Sequence, residues 1–516
     1  MSTELIEALK NTSVYPHIAT DIEVVETHLS WVLLTGPFAY KIKKPLALGF
    51  QDFTTLELRK KYCELEVEFN KALAPDIYIE TVAIYGNATS PSFTPNGPVL
   101  EYAVKMHEFS QDKLLSVFAE QNKLSIRHVE NIAKSLALFH QQSEKCPSQL
   151  PYGSPDAVFK DVMDNFRALK ELNIDPALKI LVQDIEQATQ NDCAQLRDTI
   201  EARKKAGFVR ACHGDLHLGN IVMLKNEPVI FDCIEFNEGF RYTDVMSDVA
   251  FLAMDLDHAD KSALASLFIN RYFELSTDYE GAKVLRFYQC YRAMVRAKVS
   301  ALFIEQLAEG DSKKPHLQQE LTAFLQLAKH YTQPGKPELM IMMGPSGSGK
   351  TLYSEELITQ QQAIRLRSDV IRKQLFGLDP MTKSTAAQKQ ALYSPEATMR
   401  LYQHLQKVAK TLISYGYSVI IDATCLQEWQ RALFIEVAKQ TQIDFEIFLF
   451  ICPIEVLEQR LISRATQQDA SDADASILGM QIDEAEPLTE EEEEFTTFIS
   501  TETIDNLIDN KEQYHA

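Results

Sequence analysis

No two of the eight cysteines stand in a CxxC pair. That scatter excludes a zinc ribbon and a disulfide framework, and predicts a reducing setting. Long apolar runs are missing too, since no stretch of about 18 uninterrupted apolar residues is present to cross a bilayer. The opening "MSTELIEALK" has neither the basic start nor the apolar run of a signal peptide, so a cytoplasmic location without a membrane partner is expected. Positive charge is scarce. The 51 Lys and Arg against 73 Asp and Glu leave a net charge of −22, which disfavours broad binding to nucleic acid or anionic lipid and leaves room only for a local basic groove. Part of the acidic excess is the run Glu490–Glu494, read as a solvated helix start or mobile surface.

What is present is a folded composition, 45% hydrophobic and 24% charged over 516 residues, long enough for roughly two to four domains. "SWVLLTGPFAYKIKK" reads as a hairpin broken at Gly36-Pro37. A helical segment follows in "TTLELRKKYCELEVEFNKALA", then strands near Val82–Tyr85 and Val99–Met106, then mostly helix from Ser125 to about Glu201. Short strands flank residues 212–220, and helices resume from about Asp244 to His330. "YTQPGKPE" carries the Pro and Gly of a linker. Beyond it strands and helices alternate, as in a parallel sheet.

The stretch "ACHGDLHLGNIV" holds His213 and His217 four apart, but Gly214 stands where a zinc-protease helix needs Glu, and Gly214 and Gly219 oppose a continuous helix. Phosphoryl transfer fits better, because it needs a carboxylate at the attacking hydroxyl and oxygen ligands for a metal. Asp215 would orient or deprotonate the hydroxyl, Asn220 would bind magnesium, and Asp232 in "IFDCIEF" would bind it as a charged ligand. The order HxD-x4-N, apolar strand, Asp follows the kinase pattern.

These residues resemble the aminoglycoside phosphotransferase branch of the protein-kinase-like fold. The resemblance implies two lobes with ATP between them, and Asp248 as a structural support. It also implies a strand lysine on the phosphates and a helix glutamate holding it. Lys41 and Lys43 share a strand face, with Lys41 preferred; Glu66 is preferred to Glu64 on the helical face it shares with Phe69, Asn70 and Leu73. The family's substrate does not transfer with its fold. No GxGxxG is present, and the absence of a lysine between Asp215 and Asn220 favours a small-molecule acceptor over a protein. His217 is read as a loop residue.

"GPSGSGKT" is a complete phosphate-binding loop between the apolar "LMIMM" and a helix. Gly344, Ser346, Gly347, Ser348 and Gly349 would turn backbone N–H groups around phosphates, Lys350 would bridge the β/γ-phosphates, and the Thr351 hydroxyl would hold magnesium. In "RSDVIRKQLFG" Asp369 and Arg372 lie three apart, a base beside a grip for an anionic substrate. "VIIDAT" ends a strand in Asp422, a further magnesium or acceptor-site carboxylate, and Arg460 and Arg464 are lid candidates over the phosphates. "RSD" and "DAT" resemble the AAA_33-type P-loop kinases, related to polynucleotide 5′-kinase, which keeps a nucleic-acid acceptor as the less favoured alternative. The whole chain resembles bacterial fusions of the two families.

The expected architecture is an α+β two-lobed protein-kinase-like domain over 1–315, a linker over 316–336, and an α/β P-loop NTPase domain with a parallel sheet over 337–516. The expected activity is a bifunctional ATP- and Mg2+-dependent phosphotransferase, the N-terminal half phosphorylating a hydroxyl of a small molecule and the C-terminal half acting as a second kinase or ATPase, with a non-catalytic ATP-binding regulator as a further alternative.

Overall fold

The computed structural model describes residues 3–47, 49, 51–379, 382–464 and 475–515, and their side chains except those of 464, 475–476 and 509–515. The chain divides into two compact units, Met1–Asp255 with Tyr291–Leu321, and Leu256–Cys290 with Thr322–Ala516. No helix among the described residues is long and apolar enough to cross a membrane.

The first unit is kinase-like α+β. Its antiparallel sheet runs in the order Glu23–Glu26, Ser30–Leu34, Phe38–Lys43, Val99–His107, Tyr78–Asn87, Ser90–Ser92. Gly36, at φ +97°, turns the hairpin between the second and third strands. The pleat decides what each face of Phe38–Lys43 meets. Tyr40 and Ile42 enter one core with Leu5, Ile6 and Leu9 of the N-terminal segment. Ala39 enters the opposite core with Cys63 and Val67 of helix Leu56–Asn70. Lys41 and Lys43 share the parity of Ala39, so both face that helix. The remainder of the unit is mainly helical, around Ile126–Gln142, Pro155–Glu171 and Pro176–Ala206. It also carries the paired strands Ile221–Leu224 and Glu227–Ile230.

The second unit has a five-stranded parallel sheet in the order Ile364–Arg367, Val419–Asp422, Glu338–Met343, Asp444–Ile451, Thr496–Ser500, consistent with a P-loop NTPase domain. The central strand Leu339–Met343 is buried throughout, as its continuous apolar run requires.

Most of the segment expected to be a linker is helix Lys314–Tyr331. Leu321, Phe324, Leu325 and Ala328 are buried at the i, i+3, i+4, i+7 spacing of one helix face. The Glu490–Glu494 run is the expected helix start and departs from a solvated one only at Glu492. It starts a short helix capped by Thr489, and Glu492 is buried against Arg431, a side chain with no exposure, at 2.8 Å. The i, i+1 run hides this, because only one of its members faces inward.

Candidate active sites

In the first unit Lys41 and Lys43 do not compete for one role; they divide Glu66 between them. Lys41 Nζ lies 2.8 Å from Glu66 Oε1 and 2.6 Å from Asp232 Oδ1. Lys43 Nζ lies 2.5 Å from Glu66 Oε2 and also bonds Glu235. Glu64 points away, exposed and 3.7 Å from Lys60. Burial by itself would lower the Lys41 pKa, but Asp232 and Glu66 outweigh it and hold the amine well above its usual range. Burial would raise Glu66, and the two lysines instead push it down.

Asp232 adopts φ +67°, in the left-handed region that a short polar side chain tolerates. Its loop is tied on both sides. Phe231 N donates to Asn220 O at 3.0 Å, and Cys233 N to Asn70 Oδ1 at 2.8 Å on the glutamate-bearing helix. Buried His213 joins the loop to the Asp215 segment: its Nε2 bonds Phe231 O at 2.8 Å, and its Nδ1 accepts from Asp215 N at 3.2 Å. This arrangement sets a neutral tautomer with the proton on Nε2. Burial lowers the His213 pKa, which agrees with that form.

The Asp215 loop rests on helix Val245–His258. Asp248 accepts from His213 N at 2.7 Å, Gly214 N at 2.9 Å and His140 Nε2 at 3.2 Å. One heptad on, Asp255 accepts from Leu218 N at 2.8 Å. Gly214 sits at φ +86°, and a Cβ there would lie 3.0 Å from Phe240 O, so only glycine fits the turn. Asn220 Nδ2 donates to Asp215 O at 2.9 Å and approaches Asp215 Oδ2 at 3.3 Å, leaving the amide oxygen as its remaining acceptor. His217 is a loop residue, as expected, and it also lies beside Asp215. Its Nε2 is 3.6 Å from Asp215 Oδ2, while Nδ1 accepts from Gly219 N at 3.1 Å. Burial raises the Asp215 carboxyl, yet His217, followed by His213 and Arg296, together more than offset this and keep it below the usual carboxylate range. The Asp215 side chain is 43% exposed, so its carboxylate is reachable.

In the second unit, strand Glu338–Met343 runs into the phosphate loop and then helix Lys350–Gln361. Gly344, Gly347 and Gly349 all have positive φ, as a tight phosphate-binding turn requires. Lys350 Nζ donates to Pro345 O at 2.8 Å and lies 3.5 Å from Ser348 Oγ; Ser346 N donates to Gln481 Oε1 at 2.8 Å. Lys350, Thr351, Asp369, Arg372, Asp422 and Arg460 line one cavity of about 750 Å3. Asp369 stands in the first turn of helix Ser368–Leu375. Arg372 donates from Nη1 to Leu392 O at 2.7 Å and lies over the Tyr393 ring, while its buried Nε has no hydrogen-bond partner. Asp422 Oδ2 is likewise buried without a hydrogen-bond partner. Arg460 pairs with Asp505 at 2.6 Å and approaches Gly347 O at 3.4 Å. The side chain of Arg464 lies outside the described residues.

Both oxygen sets suit a hard divalent cation: the Asn220 amide and Asp232 carboxylate in one site, the Thr351 hydroxyl and the orphaned Asp422 oxygen in the other. Neither Glu235 nor Asp255 was singled out by sequence. Asp255 carries a readable signal, the i, i+7 spacing from Asp248 on one helix face; Glu235 carries none.

Residues 63–285 match the model of the phosphotransferase enzyme family, and residues 339–488 match that of an AAA domain, AAA_33. An uncharacterized protein of Mycobacterium tuberculosis is 28% identical over 464 residues, 89% of this chain and 90% of that protein. Guanylate kinase of Rickettsia prowazekii is 28% identical over 142 residues, 25% of this chain and 69% of that enzyme. Among solved structures, choline kinase from Cryptosporidium parvum aligns at 13% identity over 64% of this chain and 96% of its own, with a TM-score of 0.39. An aminoglycoside phosphotransferase from Alicyclobacillus acidocaldarius aligns at 13% identity over 62% and 92%, with a TM-score of 0.36. The two family matches support a kinase-type enzyme, of families that generally use ATP and Mg2+.

Proposed function

We propose, for a chain that joins a phosphotransferase-family domain to an AAA_33 domain, two independent ATP-dependent phosphotransferase sites, each acting on a hydroxyl of a small molecule. The observation that carries this reading is the convergence of Lys41, Glu66 and Asp232 within ion-pair distance, on a loop that hydrogen bonds directly to the segment of Asp215 and Asn220.

In the first site Asp215 orients the acceptor hydroxyl and takes its proton. Its depressed pKa keeps it ionised at neutral pH, and Asn220 and His217 fix its carboxylate. Lys41 supplies a permanent positive charge for phosphate oxygens, and Glu66 holds that charge in place. Asn220 and Asp232 would hold magnesium, as would Thr351 and Asp422 in the second site; when bound, it neutralises phosphate charge. In that second site Lys350 and the loop amides bind phosphates, and Asp369 accepts the hydroxyl proton. Arg372, which lines the cavity, favours an acceptor that carries an anionic group.

Phosphate transfer from labelled ATP to a metabolite pool, run on full-length Asp215→Ala and Lys350→Ala variants, tests this. Each variant is expected to lose one set of labelled products and keep the other. If either substitution alone abolishes all transfer, independent sites are ruled out.

A further inference from the structure

Strand Ile364–Arg367 is an edge of the parallel sheet, and an uncovered edge leaves backbone groups unpaired. Helix Ser262–Ser276 meets that edge. Asn270 Oδ1 accepts from Arg365 N at 2.7 Å, and Asn270 Nδ2 donates to Ala363 O at 2.9 Å, so one side-chain amide replaces a missing strand partner. This helix belongs to the same compact unit as the phosphate loop, although it lies outside 339–488 and within the 63–285 phosphotransferase match.

Four residues along, Glu274 is 1% exposed and faces three arginines. Its Oε1 accepts from Arg365 Nε at 3.0 Å and Nη2 at 2.6 Å; its Oε2 lies 3.2 Å from Arg271 Nη1 and 3.6 Å from Arg367 Nη1. Two of these arginines continue to the nucleotide loop and cavity. Arg365 Nη1 donates to Thr351 O at 3.2 Å and to Ser354 Oγ at 3.0 Å. Arg367 Nε lies 4.0 Å from Asp422 Oδ2, and Arg367 lines the cavity with Asp369. Strand parity puts both guanidinium groups on one face, where burial demands a counter-charge. Glu355, at 3.8 Å from Arg365, is the more distant carboxylate.

We propose that Glu274 is a positioning residue of the P-loop site. It holds Arg365 against the Thr351 carbonyl and Arg367 at the cavity wall beside Asp422, so the working P-loop unit includes helix Ser262–Ser276. Arg367 then offers an ordered positive charge to the transferred phosphoryl group or the acceptor. The proposal rests on the second site being a phosphotransferase.

The test uses the full chain carrying Asp215→Asn, which silences the first site, with Mg-ATP turnover as readout. Glu274→Gln is expected to lower kcat by about 10- to 100-fold, the range for partners that orient a ligating group, and to change KM for ATP by less than about threefold. Arg367→Gln should reproduce that split. The Glu274→Gln/Arg367→Gln double variant should be within about twofold of either single one, as for residues acting through one group. Glu274→Asp should recover part of the rate. Unchanged kcat in both single variants, or a fall in Tm alone, overturns the proposal. If Glu274→Gln does not fold, Arg367→Gln decides, because it leaves the Glu274–Arg365 pair intact. A Lys350→Ala control separates the two levels: turnover that does not depend on Lys350 removes the reading of the second site, whereas Lys350-dependent turnover indifferent to Glu274 and Arg367 removes only the positioning role.

Discussion

Lys43→Met removes the cation that separates two buried carboxylates. Lys43 is 2% exposed, lies between Glu66 and Glu235, and has the Phe53 ring 5.1 Å from its Nζ. Methionine keeps most of the apolar stem and drops the charge, leaving Glu66 and Glu235 to share the field of Lys41. Breaking a buried pair on one side costs about 3–5 kcal/mol. For a unit of this size that lowers Tm by roughly 5–8 °C. The pH dependence carries a definite sign. Burial raises Glu235, Lys43 pulls it back and Glu66 raises it further, so it stays above the ordinary carboxylate range. A carboxyl raised in the folded state contributes stability that is fully present below its unfolded pKa and is lost as pH climbs through the folded value. Without Lys43 the folded value climbs higher, so the deficit widens between about pH 5 and pH 8. Calorimetric melts at those two pH values measure it, and Lys43→Met/Glu235→Gln should recover at least about 1 kcal/mol of the single-variant loss. A deficit below about 1 kcal/mol, or one that is the same at both pH values, refutes the charge-separation account.

His217→Asn takes away the partner that most offsets burial at Asp215, so the acid limb of the first site's kcat/KM profile should move to higher pH, read by rate measurements across the acidic range. Gly214→Ala forces a Cβ to 3.0 Å from Phe240 O at φ +86° and should cost about 1–3 kcal/mol in urea unfolding; transfer at the first site should fall with it. Burial raises Glu492 and Arg431 more than offsets this, so its contribution to stability is present above the unfolded pKa and lost as pH falls through the depressed value. Glu492→Gln should therefore destabilise by about 3 kcal/mol at neutral pH, with the difference from the parent shrinking on acidification in thermal melts.

Local signals in the chain carry most of the chemistry. HxD-x4-N, the glycine pattern of 344–351 and the apolar strands before them are short-range features whose geometry follows from backbone preferences, and they account for where Asp215, Asn220, Asp232 and Lys350 lie relative to their own loops. Helix Lys314–Tyr331 was equally readable from its i, i+3, i+4, i+7 apolar face, and the Pro and Gly of "YTQPGKPE" follow its end. The strands Glu23–Glu26 and Thr496–Ser500 were not readable. Both are short edge strands with polar ends, and pairing rather than propensity makes them strands.

By itself the sequence determined the local geometry of the two candidate sites, because loops with fixed spacing build their geometry from neighbours a few residues away. Only tertiary structure decided how distant charges pair. Lys41 and Lys43 are equivalent by strand parity, and that both reach the one carboxylate of Glu66 could be seen only once helix Leu56–Asn70 was packed on the sheet. Glu492 pairs with Arg431 and Glu274 with Arg365 across 61 and 91 residues. The physical reason is common to all three. A buried charge must be neutralised by whatever the fold brings within a few ångströms, and no periodicity along the chain records which residue that is.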